Sequence, residues 1–267
     1  MVQKDAVFSG RIPELYDKYI GPALMVPYAG DLAARLSGMQ SGTLLEIAAG
    51  TGIVTEALAT ALPGVTIVAS DLNQPMLDHA ATKPALSGVR FRQADAQQLP
   101  FGGESFDAVV CQFGAMFFPD RRAAYREVRR VLKPDGRFLF NVWASTADNP
   151  YAAAIVAGLS RRYPDHGSWF LERTPHGYHD PDIIKSDLVT GGFARCRVET
   201  IALRGRVASA SALAVGLCQG SPMRSEIEAL DPTGLTAATK AAASAIAERF
   251  GEGEFETDLC ALVIEAA

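Results

Sequence analysis

The sequence predicts an α/β protein with a doubly wound, mostly parallel sheet, and three observations carry that expectation. Residues 44 to 48 form an apolar run that reads as a buried strand; Gly50 and Gly52 then allow a tight turn before a helix-period series, Val54, Leu58 and Leu62. From residue 43 to 143, strand and helix patterns alternate with short Gly, Pro and Asp connections, as βαβ units require. The two strands after the glycine turn run into acids, Asp71 and Asp95, at the edge where a doubly wound sheet binds its ligand.

Residues 1 to 41 precede the first strand. Phe8, Ile12, Leu15, Tyr16, Tyr19 and Ile20 fall on one face of short helices, which Pro22 and Pro27 are expected to break. Asp31 is expected to cap a helix that ends at Gly38. The second strand, 65 to 70, runs into Asp71; Asn73 is expected to cap the following helix, with Pro75 in its first turn. Residues 89 to 93 and 106 to 113 read as the third and fourth strands, and Tyr125, Val128 and Leu132 mark the core face of a helix. A turn at 134 to 136 leads into a fifth strand, 137 to 143, apolar enough to be buried on both faces.

Beyond residue 143 the pattern gives a helix over 150 to 162, a turn-rich loop, a helix over 182 to 189 closed by Gly191 and Gly192, and a strand over 197 to 203. Residues 209 to 250 read as helices, with Leu235, Ala242, Ile246 and Phe250 on one face and Gly251 as the stop. Phe255, Thr257, Leu259 and Ala261 then alternate with Glu254, Glu256 and Asp258, the period of a closing strand, expected to be antiparallel. No internal repeat, low-complexity tract or dividing linker interrupts the chain, so residues 1 to 267 are expected to form a single domain.

Composition narrows the function. A chain of 267 residues with 48% hydrophobic content can bury one large α/β core. Its net charge of -5 and pI near 5.4 disfavour nucleic acid as the main partner, and the arginines at 121, 122, 126, 129 and 130 read as the solvated face of a helix. The cysteines at 111, 196, 218 and 260 form no C-x-x-C pair, which suits reduced thiols in a cytoplasm and argues against a zinc site. No apolar run is long enough to cross a membrane, and the polar N-terminus has no signal-peptide core, so a cytoplasmic protein with no membrane partner is expected.

Successive segments carry a family likeness: E-I-A-A-G-T-G from Glu46, S-D-L-N-Q-P-M-L from Ser70, A-D-A-Q-Q-L-P-F from Ala94, F-D-A-V-V-C-Q-F from Phe106 and V-L-K-P-D-G-R-F-L-F from Val131. In this order they resemble the motifs of class I S-adenosylmethionine-dependent methyltransferases, and among these the small-molecule enzymes, including the C-methyltransferases of quinone biosynthesis. The likeness covers residues 43 to about 143. It implies a seven-stranded sheet with an antiparallel last strand, the cofactor S-adenosylmethionine with product S-adenosylhomocysteine, and a small-molecule acceptor methylated on O, N or C. It assigns no oligomeric state.

The resemblance also implies roles. Glu46 would help hold the cationic methionine end; Ala48, Gly50 and Gly52 would form the cofactor turn; Asp71, with Leu72 beside it, would bind the ribose hydroxyls. Asp95 and the Ala96 amide would meet adenine, and Gln112 and Phe113 would lie where cofactor meets acceptor. It divides the chain into a helical lid at 1 to 41, a cofactor-binding core at 43 to 143, acceptor-side and cap segments at 144 to 253, and the last strand at 254 to 267. Residues 204 to 253 would be an insertion before that strand. Aromatic residues in both flanks, with Phe8, Tyr16 and Tyr19 before the core and Trp169, Phe170 and Tyr178 after it, are expected to line the acceptor pocket or its lid.

Other chemistry is weighed against this. Cys111-Gln112 lacks the proline of the P-C-Q nucleophile loop and sits in a strand pattern, so no catalytic cysteine is expected. His176 and His179 lie in a turn rich in Gly, Pro and Asp and are expected to face solvent, with no metal site and no assigned general base. A nicotinamide oxidoreductase would use the same Gly50 and Gly52 turn and Asp71, but Thr55 stands where its third small residue belongs and Asp95 would lack a role. A cofactor-binding subunit without chemistry is the remaining alternative.

Overall fold

The computed structural model describes Phe8 and residues 10–267; residues 1–7 and 9, which include the polar N-terminal stretch and part of the expected lid, lie outside the described residues. The chain enters through a helical hairpin-free rod: α1 (Ile12–Leu15), a π-helical stretch over Tyr16–Met25, and α2 (Val26–Arg35). Pro22 and Pro27 do not break it. Each proline removes an N–H and crowds the carbonyl a turn earlier, and the helix responds by widening, so that the Val26 N–H reaches the Gly21 carbonyl. Asp31 lies inside α2 rather than at its cap, and its carboxylate takes a 2.8 Å bond from Arg35 one turn on.

The core follows in the expected alternation: β1 (Gly42–Ile47), α3 (Ile53–Ala61), β2 (Val65–Asp71), α4 (Gln74–Ala81), β3 (Arg90–Gln93), β4 (Phe106–Gln112), α5 (Arg121–Val131) and β5 (Leu132–Trp143). β5 begins before the expected turn. Leu132 pairs with Phe106 and Arg137 with Ala108, so residues 134 to 136 bulge out of the ladder instead of preceding it. α6 (Pro150–Arg162), α7 (Phe170–Arg173), α8 (Pro181–Thr190), β6 (Cys196–Val207), α9 (Ala210–Gln219), α10 (Met223–Leu230), α11 (Leu235–Phe250) and β7 (Phe255–Ala266) complete the chain. The Asp180 side chain caps α8 by accepting from the Asp182 and Ile183 N–H groups, a contact that stabilises a helix by about 1 kcal/mol.

The strands form one sheet of seven in the order β3-β2-β1-β4-β5-β7-β6. β1 pairs in parallel with both β2 and β4, whereas β7 runs antiparallel between β5 and β6. Central strand residues such as Leu44, Leu45, Val109 and Val110 are fully buried, because helices cover both faces. The reversal of strand order falls between β1 and β4, which opens a crevice beyond their C-terminal ends. β6 runs on to Val207, past the expected end of the strand at 203, and α9, α10 and α11 lie between it and β7. α11 lies so close to α6 that a Cβ on Gly158 would stand 2.7 Å from the Ala241 carbonyl. Among the described residues, no helix is long and apolar enough to cross a membrane.

The arginines of α5 serve the fold. Arg122 pairs with Asp187 on α8, Arg130 pairs with Glu127 and also binds the Leu99 and Phe101 carbonyls, and Arg121 lies over the Tyr178 ring.

Candidate active site

A cavity of about 510 Å³ opens at the switch point. One half is built from the turns that follow the strands. After β1 the backbone turns left-handed at Ala48 (φ 54°) and Gly50 (φ 57°), and the Gly50 N–H donates to an Asp71 oxygen at 2.9 Å. The other Asp71 oxygen accepts from the Asn73 N–H at 2.8 Å, so one carboxylate ties the β1 turn to the β2 turn. Burial raises the Asp71 pKa and these backbone donors work against the rise. Asn73 occupies the cap position of α4, but its side-chain oxygen accepts from the Phe8 N–H rather than from the helix.

Asp95 lies exposed at the rim beyond β3 and accepts from the Gln97 N–H at 2.8 Å, while Ala96 is buried beside it. Leu72 is 51% exposed at the cavity edge, an arrangement suited to covering a flat ligand. After β4, Phe113 takes a left-handed backbone (φ 50°) and stacks on Trp143 with ring centres 3.8 Å apart. A Cβ on Gly114 would come within 2.5 Å of the Ala48 Cβ, so the β1 and β4 turns touch through this glycine.

Glu46 lines a small recess that shares Tyr16, Met25, Ala48, Gly50 and Gln112 with the main cavity. Its Oε2 is buried and finds no hydrogen-bond partner among the described residues, and neither does Oε1 of Gln112. Gln112 is oriented by its Nε2, which donates to the Met25 carbonyl at 3.1 Å. Burial pushes the Glu46 carboxyl up to about 8, against the Thr55 hydroxyl and helped by the nearby Asp71. Two orphaned acceptors in one recess call for a donor-rich, cationic ligand group.

The other half is apolar and comes from distant segments. Leu24 of the π stretch, Phe117, Tyr151 of α6, Phe170 of α7 and Leu217 of α9 line it with Trp143. His176 also faces it, contrary to the solvent-exposed turn expected from sequence. The loop before α8 folds inward, leaving His176 only 2% exposed, and its Nδ1 lies 2.7 Å from the Ala144 carbonyl at the end of β5. Its Nε2 is buried without a partner among the described residues, and burial pushes the imidazole down to about 4. Sequence reasoning missed this because its partner is 32 residues away. His179 does lie exposed.

Of the residues expected at the site, Glu46, Ala48, Gly50, Asp71, Leu72, Asp95, Ala96, Gln112, Phe113 and Tyr16 line the cavity or its recess. Gly52 does not. It takes a left-handed cap conformation (φ 82°) where a Cβ would meet Leu86 at 2.7 Å, so it lets α3 pack rather than a ligand approach. Tyr19, Trp169 and Tyr178 also lie outside the lining: Tyr19 packs at Gly216, and the Trp169 indole donates to Ser160 at 3.0 Å. Tyr178 is turned into the interior, where its hydroxyl meets Tyr125 and Asp187. Of the six flanking aromatic residues expected there, Phe8, Tyr16 and Phe170 line the wall. Cys111 is buried, with its thiol pushed up to about 12, which leaves it inert.

A family described as "Methyltransferase domain" matches residues 45–140. The ubiquinone/menaquinone biosynthesis C-methyltransferase UbiE of Ectopseudomonas mendocina is 33% identical over 177 residues, covering 60% of this chain and 69% of that protein. The protein of the same name from Teredinibacter turnerae is 30% identical over 206 residues, covering 72% and 78%. Among solved structures, YcgJ of Bacillus subtilis superposes with a TM-score of 0.56 at 22% identity, covering 90% of this chain and 97% of that one. Phosphoethanolamine N-methyltransferase 2 of Haemonchus contortus, solved with S-adenosyl-L-methionine, has a TM-score of 0.57 at 18% identity, covering 95% and 56%. These structures share the fold.

Proposed function

The chain belongs to the class I S-adenosylmethionine-dependent methyltransferases and methylates a small-molecule acceptor with S-adenosylmethionine as donor; from that premise we propose that the two halves of its cavity divide donor from acceptor. When bound, S-adenosylmethionine supplies a methyl group on a sulfonium, so transfer is an in-line displacement that leaves S-adenosylhomocysteine. In this reading Asp71 accepts from the ribose hydroxyls while holding the Gly50 turn, and Asp95 and the Ala96 amide meet adenine. Glu46 Oε2 and Gln112 Oε1 receive the ammonium. The orphaned pair in the Glu46 recess is the observation that supports this placement most directly.

The acceptor half supports a neutral, apolar molecule. Among the described lining residues the acids lie at the strand ends, at Asp71 and Asp95, and there is no Lys or Arg, so these residues offer an anionic acceptor no partner. The quinone-biosynthesis relatives, C-methyltransferases by name, agree with a ring acceptor. Residues 43 to 143 would then be the cofactor-binding core, 144 to 253 the acceptor side and cap, and 254 to 267 the closing strand. The described part of the 1 to 41 segment would act as a lid, held by the Phe8 N–H on Asn73 and presenting Tyr16 to the cavity. With water excluded, alignment supplies much of the rate.

Native mass spectrometry and thermal shift test the reading together. The protein is expected to bind S-adenosylhomocysteine, gaining about 2.7 kcal/mol of stability at a hundredfold excess over Kd, and to ignore NADH. Stabilisation by NADH alone at equal concentration would overturn it.

A further inference from the structure

We propose that Nε2 of His176 accepts the proton of a hydroxyl on the methyl acceptor, and that the substrate class is a neutral, apolar molecule with a phenol- or enol-type O–H. This rests on the methyltransferase reading and adds to it the group that recognises the acceptor. A carbonyl oxygen can only accept, so the 2.7 Å contact with Ala144 places the ring hydrogen on Nδ1 and leaves Nε2 with a bare lone pair. That lone pair is buried, has no partner among the described residues and belongs to a residue on the cavity wall.

The ring is held. The His176 N–H donates to the Leu171 carbonyl at 3.0 Å, and the Ala144 N–H donates to the Cys260 carbonyl at 3.0 Å, so both ends of the contact are anchored in backbone. Trp143 and Tyr151 flank the imidazole with ring centres 5.9 and 6.1 Å away. A buried acceptor that meets no donor among the described residues is well matched by one from a ligand. Among the described residues no carboxylate lines this half to balance an ammonium, and the aromatic wall suits a flat apolar body, which favours a neutral hydroxyl as the matching donor.

Burial keeps the imidazole neutral near pH 7 and makes it a weak base. Such a base takes a proton in step with bond formation, when the hydroxyl has become acidic. The acceptor's oxygen, or the carbon conjugated to it, forms a bond to the methyl carbon as the methyl–sulfur bond breaks and its electron pair returns to sulfur; the O–H proton moves to Nε2. The positive charge thus passes from sulfonium to imidazolium, which releases it to solvent.

The test uses the full chain with S-adenosylhomocysteine and two probes, 2-naphthol and its blocked analogue 2-methoxynaphthalene. The wild type is expected to bind the naphthol at least about fivefold more tightly than the ether. In His176→Asn, whose side-chain amide can still donate to the Ala144 carbonyl, the ratio should fall to about one. Nitrogen NMR of the wild type gives an independent reading: Nε2 should resonate as an unprotonated nitrogen and shift with the naphthol but not with the ether. An Nε2–H tautomer, a wild type that does not prefer the naphthol, or a ratio unchanged in the variant overturns the proposal. Failure of the wild type to bind S-adenosylhomocysteine in the same titrations strikes the methyltransferase reading itself and is scored separately from the probe ratio.

Discussion

The two halves of the cavity are built on opposite principles. The half we assign to the donor uses backbone turns immediately after the strands, and its polar groups sit within a few residues of the apolar runs that create the sheet: Glu46 in β1, Asp71 closing β2, Asp95 beyond β3 and Gln112 ending β4. The half we assign to the acceptor is assembled from the π stretch, the end of β5, α6, the loop before α8 and α9, which meet only because the whole chain packs. Polar groups in the first are placed by the strand ends, although Gln112 is oriented by the distant Met25 carbonyl. In the second, shape and a single buried acceptor depend on long-range contacts, so the two should respond differently to change.

The largest expected effect separates the halves by pH. Glu46 keeps its proton in the folded state up to about 8, whereas an unfolded glutamate loses it near 4.5. Between these values the unfolded chain gains by ionising and the folded chain does not, so stability is greatest below the lower pKa and falls as pH rises toward the upper one. The fall amounts to as much as about 5 kcal/mol. Urea unfolding from pH 5 to 8 should show it in the wild type and lose most of it in Glu46→Gln; equal slopes in both would remove Glu46 from the account. Binding of the sulfonium donor should also release protons near pH 7, detectable as a buffer-dependent heat.

A smaller effect is expected from Asp71→Ala. The carboxylate anchors both the Gly50 and Asn73 amides, and charge-assisted bonds contribute about 1.5 to 3 kcal/mol each. Affinity for S-adenosylhomocysteine should drop at least tenfold in calorimetry, with the protein still folded. Unchanged affinity would mean that the two halves do not differ as described. At the small end, Tyr19→Phe should alter neither cofactor nor probe binding by more than about 0.5 kcal/mol, because Tyr19 packs against α9 outside the wall. A larger change would extend the acceptor half to the outer face of the π stretch.

The contrast also explains what could be read without a fold. The alternation of apolar strands and helices over residues 43 to 143 depends on period alone, and so do the closing β7 pattern and the α11 face ending at Gly251. Asp71, Asp95, Glu46 and Gln112 were legible because each sits at a fixed offset from a strand end, where the sheet itself dictates which way a side chain can point. Gly52 shows the limit of even that reasoning: the same motif position serves a helix contact with Leu86 instead of a ligand.

By itself the sequence determined the sheet, the strand-end acids and, through its successive motifs, the family. Tertiary packing alone decided which aromatic residues face the cavity, because a rod that widens around Pro22 turns Tyr16 inward and leaves Tyr19 against α9. It also decided that Trp169 and Tyr178 belong to the interior and that His176 does not belong to solvent. Short-range periodicity constrains a residue relative to its own helix or strand. Whether a loop histidine meets a carbonyl at the end of β5 depends on the path of the chain between them, and no local pattern encodes that path.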